Sequence, residues 1–233
     1  MADNQFKFQS KTFYIPVVAI VIIWLVYYIE IKFNFNFNKY GIYPQTLKGL
    51  RGIVLSPFIH GDFKHLFNNS IPLLVMLGCL YYFYHKIATK VLVIGLLVSG
   101  FITWGVARPS YHIGASGVVY MLVSFIFFSG VFRKYYRLIA LSLVVVFLYG
   151  SMIWYIFPIE ERISWEGHLS GFLVGFLFAF IFRKLGPQPK VFEYSENEAF
   201  EKLFDEDGNF NPSAEIETEE KDDAYQINNE QNN

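Results

Sequence analysis

Ser116-Gly-Val-Val-Tyr120-Met-Leu-Val-Ser-Phe-Ile-Phe-Phe-Ser-Gly130-Val-Phe132 runs without a single charged side chain. It is about as long as the shortest helix that can cross a bilayer, roughly 17 residues, and it opens on a serine. Five more apolar stretches of similar size surround it: Phe13 to Ile31, His65 to Tyr84, Val91 to Ala107, Leu138 to Phe157 and Ser164 to Phe182. Two of these also open on polar residues, His65 and Asn69 in one and His168 in the other. Ionisable groups are costly in hydrocarbon, so they find partners, line water or carry chemistry.

The whole chain agrees with the membrane reading. It has 233 residues, 54% hydrophobic and 20% aromatic, with a mean hydropathy of +0.33, which is too apolar for an ordinary soluble domain. The expected fold is an all-α polytopic membrane protein, a six-helix bundle within residues 1–185. The first span does not read as a cleavable signal, because its apolar core is long and ends in Trp24, Tyr27 and Tyr28 with no small-residue cleavage site. Trp24, Trp104, Trp154 and Trp165 lie toward span ends, as interfacial aromatics do. Cys79 is the only cysteine, which excludes an intramolecular disulfide and a cysteine-based metal site.

Charge divides the chain in two. Residues 1–185 carry 16 Lys and Arg against 6 Asp and Glu, whereas residues 186–233 carry 3 against 14. The second segment is expected to be an acidic cytoplasmic tail, mostly disordered, with Phe192, Phe200, Phe204 and Phe210 able to support a short amphipathic helix. Lys7, Lys11, Lys86, Lys90, Arg133, Lys134, Arg137, Arg183 and Lys184 fall on one side of the spans, Arg108 and Arg162 on the other. This asymmetry predicts cytoplasmic termini, although the first external loop, Lys32 to Lys64, holds five basic residues against the trend. That loop mixes Leu50, Ile53, Val54, Leu55, Phe58 and Ile59 with charges, which suits short interfacial elements.

With this topology, spans two, four and six all run inward from the outer face, so their polar N-terminal turns share one depth. His65 and Asn69 are four apart and share a helix face. Gly167, Gly171 and Gly175 recur every four residues, and Gly114 and Gly117 flank Ser116; small residues at that spacing let membrane helices approach closely. A serine hydroxyl needs a neighbouring base to take its proton, and His168 suits the task. No acidic third member is evident, since Asp62 and Glu166 read as outer-interface residues; Tyr120, on the serine's face of span four, is the candidate to orient His168. Donors for a tetrahedral oxyanion are His65, a neighbouring asparagine and the Ser116 backbone N–H; spacing leaves Asn68 and Asn69 both open.

Taken together, His60-Gly-Asp-Phe-Lys-His65-Leu-Phe-Asn-Asn69, Gly114-Ala-Ser116-Gly117-Val-Val-Tyr120 and Gly167-His168-Leu-Ser-Gly171-Phe-Leu-Val-Gly175 resemble the rhomboid intramembrane serine proteases. The resemblance covers roughly Phe13 to Leu185. It implies Ser116 as nucleophile, His168 as general base and acid, an oxyanion site from His65, Asn69 and the Ser116 amide, and Tyr120 as the ring on which the histidine stacks. It assigns His60 to support of the first loop. Many rhomboids have a Trp-Arg pair in that loop; Leu50-Arg51 is the nearest match here and lacks the tryptophan.

The implied activity is cleavage of transmembrane or juxtamembrane peptide bonds, with transmembrane proteins as substrates and the lipid bilayer as surroundings, in a bacterial inner membrane. No cofactor, metal or nucleic acid is expected, and the oligomeric state is not readable. The alternatives are a noncatalytic rhomboid-like binder of transmembrane helices and, more remotely, a transporter. The chain has no His-Glu-x-x-His, no paired membrane aspartates and no phosphate-binding glycine loop; His60 and His65 are not at a helical repeat for a metal. His85 reads as an interface residue, and His112 has no assigned role.

Overall fold

The computed structural model describes residues 6, 8–160, 163–189, 203–205 and 207–210. Among these, the apolar stretches form helices α1 (Ser10–Lys32), α3 (Phe63–Phe83), α4 (Ala88–Val106), α5 (Ser116–Arg133), α6 (Tyr136–Tyr149) and α7 (Trp165–Ile181). A short helix, α2 (Gly52–Leu55), lies in the first loop with three 3₁₀ segments, Asn38–Tyr40, Leu47–Arg51 and Ser56–Phe58. Five helical stretches are long and apolar enough to cross a membrane: α1, α3, α4, α5 and the run from Tyr136 to Ile156. α7 is apolar and shorter, at 17 residues.

Local signals explain where the helices start and stop. Asp62 caps α3, its Oδ1 accepting from the His65 amide at 2.8 Å, so one of the helix's unpaired N–H groups is satisfied. α5 ends at Lys134 in the left-handed conformation, φ 51°. Arg133 is buried there and donates to the Phe182 and Leu185 carbonyls at 2.7 and 2.8 Å, satisfying acceptors that the end of α7 leaves exposed. The stretch expected as one span from Leu138 to Phe157 is α-helical only to Tyr149, then tightens into a 3₁₀ segment, Gly150–Ile156. Gly150 is a weaker helix former than the leucines and valines before it, and the carbonyls of the tightened turn are used elsewhere.

α5 is the central helix and packs on α3, α4, α6 and α7. Met121, Leu122, Phe125 and Ile126 of α5 are fully buried with Leu77 and Leu80 of α3 and Ala179 of α7. α1 and α6 instead turn Phe13, Val21, Leu25, Leu143 and Phe147 outward, as helices facing lipid do. The first loop is seated without a tryptophan of its own. Arg51 donates to the Lys39 carbonyl at 2.9 Å and its guanidinium lies 4.5 Å from the Tyr40 ring centre, while Trp104 of α4 donates through Nε1 to the Thr46 carbonyl at 2.9 Å.

Residues 190–233 form a separate unit. Its described part is a tight turn on Asp205, with Phe204 and Phe210 joined by an isolated β-bridge instead of a helix. Phe192 and Phe200, and the expected disorder of the acidic stretch after Phe210, lie outside the described residues.

Candidate functional site

The loop entering α5 is strapped down on both sides. Ile42 and His112 exchange two backbone hydrogen bonds, at 3.0 and 2.8 Å, and the Gly114 amide donates to the Ser56 carbonyl at 2.9 Å. The Ala115 amide points at His60 Nε2, 3.4 Å away. Gly114 has φ +102°, and a Cβ there would lie 2.5 Å from His65 Nε2, so the position needs glycine both for its conformation and for the imidazole against it. Ser116 then begins α5, where its backbone N–H has no partner within the helix.

Close contact between α5 and α7 brings His168 to this serine. A Cβ on Gly171 would overlap the Gly117 carbonyl, and one on Gly175 would overlap the Met121 carbonyl. These glycines therefore seat one helix backbone against the other. His168 Nε2 lies 2.9 Å from Ser116 Oγ, and its Nδ1 lies 2.9 Å from the Tyr155 carbonyl. A carbonyl can only accept, so Nδ1 carries the proton and Nε2 is left to accept from the serine hydroxyl. The imidazole stacks on Tyr120, with ring centres 4.2 Å apart and planes within 9°. Tyr120 is itself held, its hydroxyl donating to the Met152 carbonyl at 2.7 Å. Both carbonyls come from the 3₁₀ segment that replaces the last turns of the expected fifth span.

The other expected residues lie around this pair. Asn69 is buried, whereas Asn68 is exposed, and Asn69 Nδ2 donates to the His65 carbonyl at 2.9 Å. His65 packs edge-to-face on His60, with ring centres 5.1 Å apart. His60 is only 1% exposed. Burial, reinforced by the neighbouring His65, pushes its pKa down from 6.5 to about 4, so it is neutral at physiological pH.

Sequence reading missed four participants. The Tyr155 and Met152 carbonyls carry no side-chain signal. Glu166, read as an interface residue, is buried at 5% exposure and faces Arg108, with Oε1 3.5 Å from Arg108 Nε; the physical reason is a partner 58 positions away in the chain. His112, left without a role, bonds Ser164 Oγ at 2.6 Å and the Arg108 carbonyl at 3.0 Å. A small cavity lies beside the pair, lined in part by Ser99, Thr103, His112, Ser116, Ser164 and Gly167. Among the described residues no three His, Cys, Asp or Glu side chains cluster in a way that could hold a metal.

The family model for the Rhomboid domain matches residues 48–185. An uncharacterized protein of Mycobacterium tuberculosis is 32% identical over 163 residues, 65% of this chain and 67% of its own length, and one of Mycobacterium bovis matches equally. An uncharacterized protein of Mycobacterium leprae is 30% identical over 165 residues, 64% of this chain and 63% of its own.

Proposed function

Because the chain belongs to the Rhomboid domain family, integral membrane proteins that are in general intramembrane serine proteases, we propose that it is a serine endopeptidase cleaving transmembrane or juxtamembrane bonds of other membrane proteins. The observation that carries this reading is the 2.9 Å contact between Ser116 Oγ and His168 Nε2, together with the carbonyl that holds the proton on Nδ1.

In this reading the Ser116 hydroxyl attacks the scissile carbonyl carbon as His168 Nε2 takes its proton. The oxyanion that forms is met by the Ser116 backbone N–H, His65 and Asn69. Collapse breaks the C–N bond, and the imidazolium returns its proton to the leaving amine. An acyl-Ser116 ester remains. Water then attacks the ester, with His168 again as base, and releases the new carboxyl end and the free serine. Tyr120 stacking and the Tyr155 carbonyl keep the ring in one orientation through both proton transfers. A helical peptide bond is shielded by its own hydrogen bonds, so the substrate unwinds locally before attack.

The lysine and arginine asymmetry supports cytoplasmic termini in a bacterial cell membrane, with the pair near the outer face. The test is cleavage of a model transmembrane substrate in proteoliposomes by wild type and Ser116→Ala. The serine variant should be inactive, and a fluorophosphonate should label only the wild type. Equal cleavage by both would remove Ser116 as the nucleophile.

A further inference from the structure

Three contacts tie the loop before α5 to the start of α7, and they step toward the Ser116–His168 pair. Arg108 meets the first turn of α7 and the residues before it. Its backbone amide and Nε lie 3.4 and 3.5 Å from Glu166 Oε1, and its Nη2 donates to the Ile163 carbonyl at 2.6 Å. Four residues on, His112 meets Ser164 at 2.6 Å. His112 Nε2–H donates to the Arg108 carbonyl, so Nδ1 accepts from the Ser164 hydroxyl. Four residues on again, on both segments, Ser116 meets His168.

We infer that Glu166 and His112 are positioning residues: by pinning the first turn of α7 to the 108–112 loop, they set the register in which His168 Nε2 meets Ser116 Oγ. The inference rests on the hydrolase reading above. A carboxyl that is 5% exposed is costly to keep out of water. Here it gains an amide, a guanidinium and the positive end of the α7 dipole. Glu166 and His168 are two apart, so they point to different faces of α7, and the carboxylate acts on the histidine through the backbone turn they share. The neutral His112 imidazole joins the same turn to the strap that holds Gly114. Without these ties α7 would keep its glycine contacts with α5 lower down, while its first turn lost its anchor. An offset of about 1 Å between reacting groups is enough to lower a rate about 100-fold.

The experiment compares wild type, Glu166→Ala, Glu166→Gln and Ser116→Ala as full chains in proteoliposomes. It follows substrate turnover, fluorophosphonate labelling, thermal unfolding and the ¹⁵N resonances of His168. Glu166→Ala should fold, keep KM, lose about 10- to 100-fold in kcat and in labelling rate, and lose the single Nδ1–H tautomer at His168. Glu166→Gln, which retains an acceptor for the Arg108 amide, should lose less. Wild-type turnover, labelling and His168 signals in Glu166→Ala would overturn the assignment. If wild type itself neither cleaves nor labels, the hydrolase reading fails, and the His168 spectrum of Glu166→Ala still decides the positioning role. Should Glu166→Ala not fold, the His168 spectrum of Glu166→Gln decides: a changed tautomer supports the role and an unchanged one overturns it.

Discussion

Asn69 and Asn68 show how a single residue of offset separates a site from a surface. Both sit on the first turns of α3, but Asn69 is buried beside His65 and Asn68 is exposed. In the proposed mechanism Asn69→Ala loses a donor to the oxyanion, so turnover should fall about 10-fold or more with the fold retained. Asn68→Ala should turn over as wild type. A fully active Asn69→Ala, measured by initial rates in proteoliposomes, would remove Asn69 from the oxyanion site. The inward face of α3 is legible in the sequence because His65 and Asn69 are four apart. What holds His168 is not legible, since the Tyr155 acceptor is a backbone carbonyl and every residue has one. Glu166 is obscured for a different reason: an acid near a span end reads as solvated unless its cation, Arg108, is known to be beside it.

At the scale of elements, the α5–α7 contact is the feature on which the pair depends. Gly167, Gly171 and Gly175 advertise it at four-residue spacing, and Gly171 faces the Gly117 carbonyl too closely to admit a methyl group. Gly171→Ala should lower the thermal midpoint, at a cost of about 1 to 3 kcal/mol for overpacking, and should also cut turnover. Gly105→Ala is the control, because a Cβ on Gly105 in α4 meets nothing within 4 Å. Loss of stability at both positions alike would deny the contact its special standing. Helix starts and stops follow hydropathy to within three residues, but the 3₁₀ segment Gly150–Ile156 does not. Its conformation answers to the groups its carbonyls serve on α5 and α7, and periodicity within one stretch carries no trace of them.

For the molecule as a whole, buried neutral histidines make stability depend on acidity. His60 binds its proton near 6.5 when unfolded but only at about 4 in the fold, and burial lowers the pKa of His112 in the same direction. Between those values the unfolded chain holds more protons than the folded one, so stability is full above about pH 6.5 and falls as pH drops toward about 4. Thermal unfolding in detergent from pH 7.5 to 5 should show the midpoint falling with pH, and falling less steeply in His60→Gln. Identical slopes in the two proteins would place the dependence elsewhere. The division between a basic membrane body and an acidic tail is legible in the charge counts alone, whereas the seating of the first loop is not. The tryptophan that fastens that loop comes from α4, about sixty positions away from its partner Thr46.

The carbonyl on His168 Nδ1 has an electrostatic consequence. A carboxylate there would be a permanent ion, and moving such an ion from water into a low-dielectric interior costs several kcal/mol even after relaxation. A peptide dipole orients the ring without that charge, so serine, histidine and carbonyl are all neutral at rest. In the proposed reaction, charge arises only as an imidazolium and an oxyanion side by side, which from a distance is a dipole and not an ion. Under the proposed mechanism the membrane need tolerate separated charge at this site only for the lifetime of an intermediate.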